Sequence, residues 1–274
     1  DFGITTTFVD TADIESVNVA IQENTRLIYF ESIANPTMKV ADMNALVEVA
    51  RQHEVLTVCD NTFASPCVIR PLEWGVDLVV ESATKFISGH SDVIGGAICM
   101  KSEKLPADFL EQIRWDTMVK WGSPLAPFNA WLLLRSMQTL SIRVERQCQS
   151  AMKLANHFAQ HEKVNRVWYP GLASHAQHAL AKMQMPTFGG MLSFDVGNAN
   201  KALKVLDSLK LACFAASLGG VRTTTQIPAS MAFLDIPEAE RRQMGISDGM
   251  IRVSVGIEDI DDLIHDFDRA LALV

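Results

Sequence analysis

The chain has 274 residues, 48% of them hydrophobic and 20% charged, with a formal net charge of -8. That is enough apolar content for a sizeable core and two domains, and there is no basic tract of the kind that tracks a phosphate backbone. No run reaches the about eighteen uninterrupted apolar residues of a membrane span, and the opening "DFGITTTFVD" carries no signal-like segment. The expectation is a cytoplasmic protein that binds a small molecule, and neither nucleic acid nor membrane.

From residue 5 to about 100, short β-rich runs alternate with helical patterns, the signature of βαβ units and a mostly parallel α/β sheet with helices on both faces. The runs are "TTFV", "RLIYFE" (26–31), "VLTVCD" (55–60), "VDLVVE" (76–81) and "GGAICM" (95–100). Between them lie "DIESVNVAIQ" and "VADMNALVEVARQH", where Met43, Leu46, Val47 and Ala50 fall at helical spacing. Continuous apolar runs imply strands buried on both faces.

Residues 125–160 contain no Gly and one early Pro, which predicts one long helix or two abutting ones, a bridge between domains. Beyond it "GGMLSFDV" (189–196), "KLACFAAS" (210–217) and "MIRVSVG" (250–256) read as strands, and 220–248 as a loop. The last segment is an amphipathic helix with Ile260, Leu263, Ile264, Phe267 and Leu271 on one face and acids at its start. Residues 1–135 are thus expected to form a larger domain and 136–274 a smaller α+β domain with fewer strands. Five cysteines (Cys59, Cys67, Cys99, Cys148 and Cys213) lack CxxC spacing and read as reduced, packed thiols, with no metal site.

Ligands of open α/β sheets bind beyond the carboxyl ends of the strands. Three runs end in polar residues there: Glu31, followed by Asn35; Asp60; and Glu81, which leads into Ser82, Thr84 and Lys85. A lysine amine can form a Schiff base with a carbonyl, a carboxylate can keep a ring nitrogen protonated, and hydroxyls can accept a phosphate, a set suited to pyridoxal phosphate. A lone strand-end Asp is commonly a turn-former and a lone Lys a solvated cation, so these residues alone leave the alternatives open.

The segment "ESATKFISGHSDVIGG" resembles the cofactor-attachment segment of the Cys/Met metabolism, or transsulfuration, family of pyridoxal-phosphate enzymes. "ESIANPT", "DNTFASP", "YPGLASH", "FGGMLSF", "SLGG", "PASM" and "IRVSVGIEDIDDL" follow the same pattern in the same order. The resemblance implies a fold-type I enzyme, a carbon–sulfur lyase or a γ-replacement enzyme, assembled as a homodimer or homotetramer. It implies that Lys85 is the Schiff-base lysine and shuttles substrate protons, that Asp60 pairs with the pyridine nitrogen, and that Ser82 and Thr84 contact the phosphate. Asn35 is placed near the ring's phenolic oxygen, Arg252 at the substrate carboxylate, and Ser217 in support of Arg252. Without the resemblance, Arg252 in an apolar strand reads as half of a buried ion pair. His90 reads as a loop hydrogen-bonding residue.

Three departures qualify the match. The family's N-terminal portion, with its stacking tyrosine, has no counterpart, and neither Tyr29 nor Tyr169 stands in such a motif. The chain is therefore expected to be part of a longer polypeptide, with a catalytically incompetent fragment as one alternative. Arg222 stands where the family commonly has an acid, and Phe233 where it has a histidine, which is expected to alter preference at the distal end of the substrate.

Overall fold

The computed structural model describes residues 2–274. Residues 6–9, expected as a strand, pair with no other strand among the described residues, and Phe8 is 93% exposed. Its β-branched composition favours extended backbone, but a strand needs a neighbour to satisfy its ladder, and none lies beside it.

The expected runs then appear as β1 (Leu27–Glu31), β2 (Leu56–Asp60), β3 (Leu78–Glu81) and β4 (Ala97–Met100), side by side in that order. The first two pairings are parallel and the third antiparallel. The helix Met43–Gln52 makes the crossover from β1 to β2. Asp42 caps it by accepting from the Ala45 amide at 3.0 Å, and Met43, Leu46, Val49 and Ala50 form its buried stripe. The β2–β3 connection is tighter, with short turns at Ser65–Val68 and Pro71–Trp74.

Burial on both faces does not hold throughout this sheet. In β1, Ile28 and Phe30 enter the core while Leu27 and Tyr29 remain 47% and 54% exposed. Ile98 of β4 is 46% exposed. The strand period of two sends alternate residues to opposite faces; only one face of β1 is packed, whereas in β4 Ala97, Ile98 and Cys99 are all exposed and neither face is covered.

Residues 127–160 form two abutting helices, Pro127–Met137 and Leu140–Gln160. The second spans both hydrophobic cores. Its early residues Leu140, Val144 and Cys148 pack with Phe30, Met43 and Phe86. Its later residues Leu154 and Phe158 pack with Phe194 and Phe267, the Phe158 ring centroid lying 4.4 Å and 5.1 Å from theirs.

The second sheet has five strands: β5 (Arg166–Trp168), β6 (Met191–Asp195), β7 (Cys213–Phe214), β8 (Thr224–Gln226) and β9 (Met250–Ser254). Their order is β5-β6-β9-β8-β7, antiparallel apart from β7 with β8. The second half therefore has more strands than the first, not fewer, and part of the expected 220–248 loop is β8 with the short helices Pro228–Met231 and Glu238–Gln243. Strands of two or three residues are too short to show alternation, so only their partners reveal them. The final helix, Ile260–Leu271, is capped by Asp259 and buries Ile260, Leu263, Phe267 and Leu271.

Candidate active site

β1 and β2 end level with one another, which puts the Glu31 and Asp60 carboxylates side by side on one face of the sheet, while β3 runs one residue further and sends Glu81 to the other face. Glu31 lies directly opposite Asp60, and Asp60 opposite Val80, the residue before Glu81. The Asp60 carboxylate accepts from the Tyr29 hydroxyl at 3.2 Å and from the Thr62 amide at 3.0 Å. Tyr29 stands in no motif, and its only signal in the sequence is the strand period, which puts it two residues before Glu31 on the same face. Burial, and then Asp60, push its phenol up to about 12.

Glu81 is buried, and its carboxylate accepts from the Asn61 side-chain amide at 2.9 Å. Burial raises it most, the Asn61 bond opposes this, Asp60 adds to it, and the result is pushed up to about 8. Glu31 is also raised, by burial foremost, although its carboxylate accepts from the Asn35 amide at 2.8 Å. Burial thus biases Glu31 and Glu81 towards the neutral form, while the Asp60 carboxylate is held by two hydrogen-bond donors.

After β3 the chain turns sharply. Ser82 donates its amide to Thr62 Oγ1 at 2.9 Å, and its carbonyl accepts from the Lys85 amide at 3.1 Å. Thr84 is tied differently: its hydroxyl donates to the Gly95 carbonyl at 3.2 Å and accepts from the Gly95 amide at 3.0 Å. The hydroxyl expected to meet a phosphate is thus already engaged at Thr84, while the bonds that hold Ser82 use only its backbone. His90 is a loop residue whose Nδ1 lies 2.7 Å from the Ser88 carbonyl oxygen.

Lys85 is half-buried and pairs with no carboxylate among the described residues; burial, and then the Arg252 charge, lower its pKa. A larger share of its amine is therefore free base near neutrality, the form that attacks a carbonyl. Arg252, on β9, is 3% exposed. Its Nη1 donates to Asn35 Oδ1 at 3.1 Å and its Nη2 to the Ser217 carbonyl at 3.3 Å, while its buried Nε has no partner. Phe63 lies beneath, with the guanidinium carbon 5.9 Å from the ring centroid. Burial alone lowers Arg252 to about 10, so it stays a cation at neutral pH.

The structure thus gathers Asn35, Ser217, Arg252 and Lys85 into one locus. The contact from Ser217 is made by its carbonyl, and Asn35 holds Arg252 through its side chain. Arg222 is exposed, with Nη2 2.8 Å from Cys213 Sγ, and Phe233 packs against Ala229, Ile246 and Met250. An amine of lowered pKa, a strand-end carboxylate and an unbalanced buried cation form the donor set a pyridoxal-phosphate enzyme of fold-type I requires, and the residues present fit that group. The chain belongs to the family described as Cys/Met metabolism PLP-dependent enzyme, which matches residues 1–272.

Among curated proteins it is 44% identical to a cystathionine beta-lyase of Coxiella burnetii over 98% of this chain and 69% of the relative. Among solved structures it is similar to a cystathionine gamma-lyase from Lactobacillus plantarum complexed with L-serine, with TM-score 0.92 and 39% identity over 99% of this chain and 70% of that one. It is also similar to a putative O-acetylhomoserine (thiol)-lyase from Campylobacter jejuni that carries N'-pyridoxyl-lysine-5'-monophosphate, with TM-score 0.93 and 32% identity over 96% and 70% of the two chains.

Proposed function

We propose that this chain is a pyridoxal-phosphate-dependent carbon–sulfur lyase that acts on sulfur amino acids of the cystathionine or methionine type by β- or γ-elimination. The observation that carries the reading is Arg252, a buried cation without a carboxylate partner among the described residues, beside a lysine of lowered pKa. A buried charge left unpaired is costly, and an amino-acid carboxylate is the counter-ion that would relieve it.

When bound, the cofactor supplies an electron sink for the charge left as the α-proton departs. The remaining work falls to the chain. Arg252, oriented by Asn35 and the Ser217 carbonyl, binds the substrate carboxylate and so directs the α-carbon towards Lys85. Lys85 Nζ would hold the cofactor carbonyl, and the same amine is the group placed to take the α-proton and to deliver a proton to the departing group. Asp60 would pair with the pyridine nitrogen, and Ser82 would offer a hydroxyl to the phosphate, with Thr84 joining if it exchanges its bond to Gly95.

The test is steady-state assay with cystathionine, methionine and acylated homoserines, beside Lys85→Ala. The expected result is a 2-oxo acid released without added thiol, and no turnover in the variant. A strict thiol requirement would overturn elimination in favour of γ-replacement, the reading favoured by the similarity to the O-acetylhomoserine (thiol)-lyase.

The same proposal includes a homodimer or homotetramer in the cytoplasm, and a domain division near residue 135. Exposed Trp115, Trp121, Phe128, Trp131 and Leu134 support assembly. The core cluster drawn wholly from residues after 150 supports the division, while the other core also takes Leu140, Val144 and Cys148 from beyond residue 135. No helix among the described residues is long and apolar enough to cross a membrane. Light scattering across a concentration series measures the assembly, and a concentration-independent monomer would remove that part of the proposal.

A further inference from the structure

The helix Leu140–Gln160 sends two polar side chains, one turn apart, into the backbone around Lys85. Arg143 is 5% exposed, and among the described residues no carboxylate pairs with it. It donates from Nη1 to the Phe86 carbonyl at 2.8 Å, from Nη2 to the Ile87 and Ser136 carbonyls at 3.1 Å each, and from Nε to Thr139 Oγ1 at 3.1 Å. Phe86 and Ile87 are the two residues after Lys85. Gln147, fully buried four residues further along, donates from Nε2 to the Gly220 carbonyl at 2.8 Å.

The segment 217–221 in turn rests on the Lys85 turn. Gly219 has φ +76, and a Cβ there would come within 2.5 Å of the Phe86 nitrogen and 2.8 Å of the Lys85 carbonyl carbon. The Val221 amide donates to the Gly89 carbonyl at 2.8 Å. A Cβ on Gly89 would lie 1.9 Å from Arg143 Nη1, so the guanidinium sits against bare backbone. At its other end this segment presents the Ser217 carbonyl to Arg252.

We propose that Arg143, seconded by Gln147, is a positioning residue that sets the place of Lys85 Nζ relative to the Arg252 carboxylate clamp. A buried guanidinium needs compensation, and here backbone carbonyls provide it in place of a carboxylate. The planar fork reaches two successive carbonyls at once, which an ammonium cannot do in the same geometry. Both ends of the Lys85-to-Arg252 spacing are therefore referred to one rigid helix. The functional consequence rests on the reading of Lys85 as the cofactor lysine, whereas the positioning itself does not.

The test uses the full chain with Arg143→Met, Arg143→Lys and a surface control, Arg51→Met. The pH midpoint of Lys85 amine acylation is followed by peptide mass spectrometry, without added cofactor. Because a midpoint reports protonation and not access, a merely structural residue would leave it unmoved in any variant that folds. The expected result is a midpoint displaced upwards, towards an ordinary lysine, in Arg143→Met and by a smaller amount in Arg143→Lys, with about threefold less free amine for each half-unit rise. Hydrogen exchange at residues 86–89 should quicken in the same order. A midpoint unchanged in Arg143→Lys, or displaced equally in Arg51→Met, would overturn the proposal; if Arg143→Met does not fold, Arg143→Lys decides. Borohydride trapping of pyridoxal phosphate on the unaltered chain is run in parallel. Absence of an adduct at Lys85 there would sink the proposed function and leave the acylation result standing.

Discussion

Tyr29 donates its hydroxyl to Asp60 across the first two strands of the sheet, at 3.2 Å. With the Thr62 amide on the other oxygen, this fixes both oxygens of the carboxylate read here as the partner of the ring nitrogen. Tyr29→Phe removes one donor and leaves the sheet intact. The expected loss is about 1 kcal/mol, or roughly fivefold, in cofactor affinity, measured by equilibrium dialysis with absorbance. An unchanged affinity would mean that the Tyr29 bond does not orient Asp60.

As the proposed carboxylate clamp, Arg252 would carry function at the expense of stability. Arg252→Met removes a buried cation that no carboxylate balances among the described residues, and the expected outcome is a higher melting temperature together with a loss of about 3 kcal/mol, roughly a hundredfold, in kcat/KM. Arg252→Lys should recover little of the activity, because an ammonium cannot keep Asn35 and the Ser217 carbonyl while also binding a carboxylate at both oxygens. Calorimetry and steady-state kinetics check the two halves separately. A variant that loses both stability and activity would identify Arg252 as a structural residue.

Glu81 makes the folded chain less stable as pH rises. Its folded pKa, about 8, lies above that of an unfolded glutamate. Between the two values the folded state holds a proton that the unfolded state has released. Stability therefore falls with rising pH through this window and levels off above about pH 8. Glu81→Gln keeps the shape without the titration, so it should match the parent near pH 5 and exceed it at pH 8 to 9 in urea unfolding. The variant's advantage should grow through the window; a constant difference would refute the assignment.

Asp266 acts in the opposite sense. Burial alone would raise its pKa. The Arg269 guanidinium at 2.6 Å and the amides of Lys210, Leu211 and Ala212 at 2.8–3.2 Å outweigh burial, and the pKa is lowered. Its contribution is present above the unfolded value and is lost as pH falls through the lower, folded one. Asp266→Asn should cost about 2–4 kcal/mol at pH 7, with the gap to the parent narrowing in acid, as read from urea midpoints. A gap independent of pH would mean that shape, not charge, holds the Lys210–Ala212 turn.

Much of this architecture was legible wherever a local rule applied over enough residues. The runs ending at Glu31, Asp60 and Glu81 showed as strands because three to five apolar or β-branched residues in a row leave few alternatives. The final helix showed through its stripe from Ile260 to Leu271 and its Asp259 cap. The turn at Lys85 was legible as a sequence pattern, and the lowered pKa adds a physical reason to the pattern. β8 was not legible, since its three residues become a strand only between β7 and β9. The exposed side chains of β1 were misjudged, since an apolar run reports composition and not what lies against each face.

The sequence by itself determined the longer strands and helices, the residue types at the strand ends and the family to which they belong, because periodicity, capping and motif are properties of neighbours along the chain. Tertiary structure alone decided which of those residues act together. Arg252 meets Asn35 across 217 positions, and Arg143 meets Phe86 across 57. No local pattern encodes such a meeting: it follows from how two sheets and one long helix pack, and packing is where burial, and with it the charge state of Lys85, Glu81 and Arg252, is decided.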